Sequence, residues 1–372
     1  MDQQLRTGRG KILVYRIGQL GDTVCAIPAI KAIREWSGPC DLVLLCDYHP
    51  GTPYPVAAEI LSQFGLIDDW IIYSPKSSLA LDRALALRRE IRQRRISSMF
   101  YLAPARRTIV QRLRDLLFFR WCGIRDMHGL RLQASLSPPN GTRQEVDRLL
   151  EVVRSSGLPV CSQPSFNLPI PRAIRAQADE LWRSLRLEGE IVLAVCPGSK
   201  MPAKRWGEDR YQELGLRLTS HDRVRLVILG GPEDQSVAEQ LCRAWNGRGV
   251  NLAGKTSYAG SAEILRRCRL YVGNDNGAMH LAAAVGTPCV AIFSARDVPG
   301  TWYPYGEGHT VFRKDVECQG CMLVECAEQQ MKCIRSISVD EVYRACAVYL
   351  NKKAQAIDAS LPPCAKTSGA QL

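Results

Sequence analysis

The sequence predicts an α/β protein made of two doubly wound lobes that face each other across a cleft. Three observations predict it. Short apolar, β-branched runs alternate with longer amphipathic stretches, the pattern of parallel strands wrapped by helices. The alternation pauses in the proline-rich segment 157–171 (GLPVCSQPSFNLPIP) and then restarts. The length of 372 residues suits two domains, each able to bury a core of its own.

In order, residues 11–16 (KILVYR) read as a first strand, 18–22 as a glycine-containing turn and 23–36 as a helix with Val24, Ile27, Ile30 and Ile33 on its apolar side. Residues 41–47 (DLVLLCD) form the next strand, 79–96 a basic amphipathic helix and 99–103 another short strand. Beyond the proline-rich linker, a helix over 173–187 leads into strands at 191–196, 225–229, 270–273 and 288–293, with helices between them. The expected boundaries are 1–165 for the first lobe, 166–350 for the second and 351–372 for a small, polar tail. Ligands of such sheets bind outside the carboxyl ends of the strands, so the two lobes would present their sites to the cleft between them.

Composition narrows the function classes. Hydrophobic residues make up 46% and charged residues 23%, which excludes a disordered or fibrous chain. Forty-nine Lys and Arg oppose 37 Asp and Glu, a net charge of +12, so an anionic partner is expected: nucleic acid, a membrane surface or a phosphorylated substrate. Fifteen cysteines in a chain of this length do not make a disulfide scaffold, and the N-terminus lacks the apolar core of a secretory signal. The most apolar stretch, 281–295, is too short to span a bilayer and is broken by Gly286 and Pro288. A soluble protein of a reducing, cytoplasmic compartment is expected, meeting a membrane only from its surface.

Four loops after strands carry candidate chemistry. In 18–23 (GQLGDT) the glycines allow close backbone approach, and Asp22 is either the N-cap of the following helix or a general base. In 197–206 (PGSKMPAKRW), Ser199, Lys200 and Lys204 suit a diphosphate, the alternative being a solvated basic loop. In 230–234 (GGPED), Glu233 or Asp234 could accept from ribose hydroxyls, or simply start a helix. In 273–280 (GNDNGAMH), the turn around Asp275, Asn276 and Gly277 precedes a small-residue helix whose N-terminus can face phosphate, with His280 in its first turn.

The ordered set RIGQLGDTVCAIPAIKAIR, PGSKMPAKRWGEDRYQEL and NDNGAMHLAAAVGTPCVAIFSARDVPGTWYPYG resembles glycosyltransferase family 9, the lipopolysaccharide heptosyltransferases, over roughly residues 11–350. The resemblance implies a GT-B fold of two Rossmann-like lobes, with acceptor in the first, nucleotide sugar in the second and a last helix crossing back to the first. It implies inverting transfer of heptose from ADP-L-glycero-D-manno-heptose to the lipopolysaccharide inner core or a related surface glycan. By position, Asp22 would be the catalytic base. Ser199, Lys200, Lys204, Glu233, Asp234, Asp275, Asn276, Gly277 and His280 would bind the donor. No cofactor or metal is required. The alternatives are a transferase using another nucleotide sugar and a nucleotide-sugar epimerase of the same fold.

Between Arg83 and Arg131 there are thirteen arginines and three acids. Arg88, Arg92, Arg95, Arg106 and Arg107 are therefore expected on a face that meets the phosphorylated lipid-linked acceptor and an anionic membrane leaflet, a solvated arginine face being the alternative. No nucleic-acid-binding motif accompanies them, so nucleic acid is not an expected partner. Cys318, Cys321, Cys326 and Cys333 have a spacing that could hold a structural zinc; free or redox-active thiols are the other reading.

Overall fold

A computed structural model of the chain describes residues 10–49, 51, 56–74, 80–104, 107–130, 144–160 and 166–350. The expected polar tail at 351–372 and Arg106 lie outside them. The first lobe runs β1 (Lys11–Tyr15), α1 (Leu20–Ser37), β2 (Leu42–Asp47), α2 (Ala57–Ser62), β3 (Asp69–Tyr73), α3 (Ala80–Gln93), β4 (Ile96–Tyr101), α4 (Ile109–Trp121), β5 (Asp126–His128) and α5 (Glu145–Arg154). The second begins with α6 (Arg172–Ser184), β6 (Ile191–Cys196), α7 (Glu208–Thr219), β7 (Val224–Ile228), α8 (Gln235–Ala244), β8 (Gly249–Asn251) and α9 (Tyr258–Arg267). It continues through β9 (Leu270–Asn274), α10 (Gly277–Ala284), β10 (Cys289–Phe293), β11 (Thr310–Arg313), α11 (Lys332–Arg335) and α12 (Val339–Leu350).

Both sheets are wholly parallel. The first has the order β3-β2-β1-β4-β5 and the second β11-β10-β9-β6-β7-β8. Strand order reverses between β1 and β4 in one sheet and between β6 and β9 in the other. These switch points are where crossover helices leave to opposite faces and a crevice opens at the strands' carboxyl ends.

The central strands are apolar runs because they are covered on both faces. Ile12, Val14, Leu42 and Leu44 pack under α1 and α2, while Leu13, Tyr15, Val43 and Leu45 pack against Ile91 of α3 and Phe119 of α4. Four strands escaped the periodicity reading, β3, β5, β8 and β11, and all four are sheet edges. Three-residue β5 and β8 and half-exposed β11 lack the continuous apolar run that marks a strand buried on both sides.

The lobes meet through α1 and α10. α1 is buried on almost every side from Thr23 to Ile30, and the small residues of α10 (GAMHLAAA) let the two helices approach closely. One apolar cluster consequently runs through both lobes. At the rim, Glu145 N–H donates to Thr301 O (3.0 Å), Tyr305 Oη to Asp147 Oδ1 (2.8 Å) and Lys31 Nζ to Phe166 O (3.0 Å). α5 packs on α1 and α6 on α9, so the chain passes between lobes within 155–171, where the proline-rich segment lies. A last helix crossing back to the first lobe is not found among the described residues. α12 stays on the second lobe, where Val339, Val342 and Cys346 close the core beneath α7, β9 and β10.

Candidate active site

The loop after β1 sits at the first switch point and leads into the helix that carries Asp22. α1 begins at Leu20, earlier than the apolar periodicity indicates, so Asp22 is the third helical residue and Gln19 is the N-cap. Asp22 Oδ2 accepts from the Gln19 backbone N–H (3.2 Å), while Oδ1 lies 3.7 Å from Arg16 Nη2. The carboxylate thus supports the helix with one oxygen and lies beside the Arg16 guanidinium with the other, the side chain being 30% exposed. Gly18 has φ +125°, and a Cβ there would sit 2.6 Å from Asp22 Cβ, so the turn needs a glycine to hold Asp22 in place.

Arg16 is completely buried beneath this loop. Its Nη2 donates to Asp22 O (2.5 Å) and its Nη1 to Leu102 O (2.8 Å) and Glu145 Oε1 (3.4 Å). Burial raises the Glu145 carboxyl, but hydrogen bonds and charge from Arg148 and Arg16 outweigh it and hold it below its ordinary value. Beside this network, Asp47 at the carboxyl end of β2 accepts from Gly18 N–H (3.1 Å) and contacts His49 Nε2 (2.9 Å).

At the second switch point, the loops after β6 and β9 are bound to each other. Asn276 caps α10: its Oδ1 accepts from Met279 N–H (3.0 Å), and its Nδ2 donates to Gly198 O (2.8 Å). Ser199 Oγ reaches Asp275 O (3.4 Å), and the Trp206 backbone N–H and Tyr211 Oη both donate to Asn274 Oδ1. Trp206 itself is a buried core side chain.

Lys204 is not a solvent-facing cation. Its Nζ lies 2.6 Å from Asp275 Oδ2 and 3.5 Å from Asp297 Oδ2, and Arg296 Nη1 completes the chain at 2.5 Å from Asp297. Burial pushes the Asp275 carboxyl up and the Lys204 charge pulls it back down, with a net rise. Arg296 also donates to Met322 O and Leu323 O, which pins the 320–324 segment over the network. Asp234 Oδ2 accepts from Gly231 N–H (3.0 Å) and its carboxylate occupies the space where a Cβ on Gly198 would go, whereas Glu233 is exposed.

Two residues join the halves. Lys200, on the second lobe's loop, has its ammonium pKa lowered by partial desolvation against the opposing pull of Asp22 and Asp47 on the first lobe. His280 is buried at the α1–α10 contact, with Nδ1 3.4 Å from Cys25 Sγ and the ring edge-on to Trp302. Burial lowers its pKa to about 4, so the ring is neutral near pH 7.

The structure therefore gathers Asp22, Ser199, Lys200, Lys204, Asp275, Asn276, Gly277 and His280 around one cleft, with Glu233 and Asp234 on the adjoining loop after β7. Arg16, Asp47, Glu145, Arg296 and Asp297 were missed. The signal available for Arg16, Asp47 and Arg296 is their place just at or after the carboxyl ends of predicted strands; Glu145 has no such signal because it arrives from α5.

The arginine segment divides. Arg92 and Arg95 are exposed, and Arg88 lies over the Trp121 ring and donates to Trp121 O (3.0 Å). Arg107 turns inward instead, 3.4 Å from Asp115 and bonded to Tyr15 Oη, because Asp115 and the Tyr15 hydroxyl need a buried donor. The four clustered cysteines do not converge: among the described residues no group of three or more His, Cys, Asp or Glu is arranged to hold a metal ion. The zinc reading of Cys318, Cys321, Cys326 and Cys333 gains no support from this arrangement, in which Cys318, Cys326 and Cys333 are half-buried and Cys321 is exposed.

Comparison with known proteins bears on the family and the fold. Lipooligosaccharide heptosyltransferase 2 of Campylobacter jejuni is 25% identical over 338 residues, 89% of this chain and 96% of that protein. The solved ADP-heptose lipopolysaccharide heptosyltransferase II of Escherichia coli superposes with a TM-score of 0.67 at 19% identity, covering 91% of this chain and 98% of that one. The E. coli heptosyltransferase WaaC, solved with ADP-2-deoxy-2-fluoro heptose, gives 0.62 at 15% identity over 91% and 99%. The fold shared with these enzymes is GT-B. The family model described as glycosyltransferase family 9 (heptosyltransferase) matches residues 125–332, more than half of the chain, and the protein belongs to that family.

Proposed function

We propose that this chain transfers heptose, with inversion, from ADP-L-glycero-D-manno-heptose to a phosphorylated, lipid-linked acceptor of the lipopolysaccharide inner core. In this reading the first lobe takes the acceptor and the second the nucleotide sugar. The observation that carries it is the opposition of two switch-point crevices, one bearing Asp22 and the other the interlocked loops around Ser199 and Asn276, with Lys200 between them. The names of the relatives support the sugar and the acceptor class.

Chemically, the acceptor oxygen attacks the anomeric carbon as the carbon–oxygen bond to the diphosphate breaks, and the proton passes from the acceptor hydroxyl to Asp22. The departing diphosphate takes the bonding electron pair. Its growing charge is met by Lys200 and by the first-turn N–H groups of α10, whose N-terminus carries partial positive charge. These residues supply acid–base and electrostatic help without a metal or cofactor. Lys204 acts one step away, by holding Asp275 and the donor loop.

General-base assistance is worth about 10² to 10⁴ in rate. Asp22→Asn is expected to lose at least about 10² in turnover while ADP still raises the melting temperature. Turnover close to wild type would reduce Asp22 to a helix-supporting residue. Release of ADP only when inner-core acceptor is added separates transfer from epimerisation, which needs the nucleotide sugar alone.

A further inference from the structure

The first lobe's outer layer breaks the usual rule for a helix packed on a sheet. α4 turns Asp115 inward, where it accepts from Tyr101 Oη at 2.7 Å and pairs with Arg107, while its outward stripe is apolar. Ile109, Val110, Leu113, Leu117 and Trp121 recur at steps of three and four, so they share one face, and all are exposed, Val110 by 77% and Leu117 by 60%. Beside it α3 exposes Leu81 and Leu85, and Arg88 of α3 lies over the Trp121 ring at 4.7 Å, which joins the two helices into one surface. Single exposed apolar side chains are ordinary, but a continuous stripe along a helix about 20 Å long marks an interaction surface.

The rim of the stripe names its partner. Arg89, Arg92 and Arg95 on and after α3, and Arg114, Arg120 and Arg125 on and after α4, are exposed around it. The exposed acids are few, and Glu90 is paired with Arg94 at 3.7 Å. Apolar residues bordered by arginines, with a tryptophan at one end, fit a bilayer whose headgroups are anionic: the side chains enter the acyl boundary and the guanidinium groups meet the phosphates. No helix of the described residues is long and apolar enough to cross a membrane, so the contact is one of surface docking. We propose that α3 and α4 form a membrane-docking face for an anionic leaflet, with α4 inserting its apolar stripe. The N-terminus of α4 follows directly on the loop after β4, at the first switch point, so docking there brings the acceptor crevice to the lipid surface. The inference rests on the proposed lipid-borne acceptor for its purpose but not for its test.

The test is flotation of the purified full chain with vesicles of phosphatidylcholine, alone or mixed with phosphatidylglycerol, at low and high salt. Wild type is expected to float with the mixed vesicles and to keep a residual partition at high salt. Val110→Gln/Leu117→Gln should lower the partition roughly tenfold or more, because two side chains no longer leave water. Arg89→Gln/Arg120→Gln should lower binding to the mixed vesicles by about fivefold per residue and reduce its salt sensitivity. A thermal shift with ADP, retained in each variant, shows that the variants fold; its absence in wild type would count against the reaction reading while leaving flotation informative. Wild type that does not float, or Val110→Gln/Leu117→Gln that floats as wild type does, overturns the proposal. So does a wild-type dimer in sedimentation that Val110→Gln/Leu117→Gln dissociates, since the stripe would then serve a second copy of the chain.

Discussion

Lys204 illustrates how much a residue's surroundings add to what its type suggests. A lysine in a glycine- and proline-containing loop reads as a phosphate contact, and in the structure its half-buried ammonium lies beside two carboxylates at 2.6 and 3.5 Å. Removing Lys204 leaves the buried Asp275 carboxylate without its cation, while Asp297 keeps Arg296. Lys204→Met is therefore expected to cost about 3 to 5 kcal/mol of stability, read from the urea midpoint, whereas a solvent-facing phosphate ligand would leave stability unchanged. The double variant Lys204→Met/Asp275→Asn should recover part of that loss, because the uncompensated carboxylate goes with the lysine. Asp22 shows the opposite case. At the third helical position only one oxygen is taken by the helix, the other lying 3.7 Å from Arg16, so supporting the helix leaves it available to the proposed reaction.

Among the elements, α10 concentrates the most function in the shortest length. Its eight residues supply an N-terminus at the second switch point, a small-residue face for α1 and the buried His280. Asn276 ties these together, since the same amide caps the helix and holds Gly198 of the neighbouring loop. Asn276→Ala is expected to lose about 1 to 2 kcal/mol in urea unfolding and to weaken the ADP-induced thermal shift, as the loop after β6 loses its tether. Unchanged stability would mean that water replaces the cap fully. α1 is the matching element in the first lobe, an amphipathic reading of which was incomplete: it is buried all round because a second lobe lies on its outer side.

For the whole molecule, the central quantity is how closely the lobes approach. A Cβ on Gly21 would stand 2.8 Å from His280 Cδ2, and one on Gly277 would stand 2.6 Å from Leu20 Cγ. These glycines set the spacing of the two crevices. Gly21→Leu should wedge the lobes apart, raising the radius of gyration in small-angle scattering and lowering turnover by about 10², since misplacement of reacting groups by about 1 Å carries that penalty. Donor binding, confined to the second lobe in the proposed reading, should survive. Identical scattering and turnover would show that the spacing is set elsewhere.

How much was legible follows the same physics. Strands covered on both faces carry their own signature, so β1, β2, β4, β6, β7, β9 and β10 could be read from apolar runs, and the loops after them located the site. The sheet edges β5, β8 and β11 lack that signature because only their neighbours make them strands, whereas β3 (DWIIY) carries an apolar run that was legible and was missed. The sequence alone determined the two-lobed α/β class, the glycine-containing turns and the residues Asp22, Lys200 and Asn276 that converge on the cleft, since these depend on local pattern and position after a strand. Only the tertiary structure decided that Lys204 pairs with Asp275 and Asp297, that Arg107 turns inward and that α4 shows its apolar side to the outside. Each of those depends on which distant segment comes to lie beside the residue, and burial and pairing across lobes have no counterpart in local periodicity.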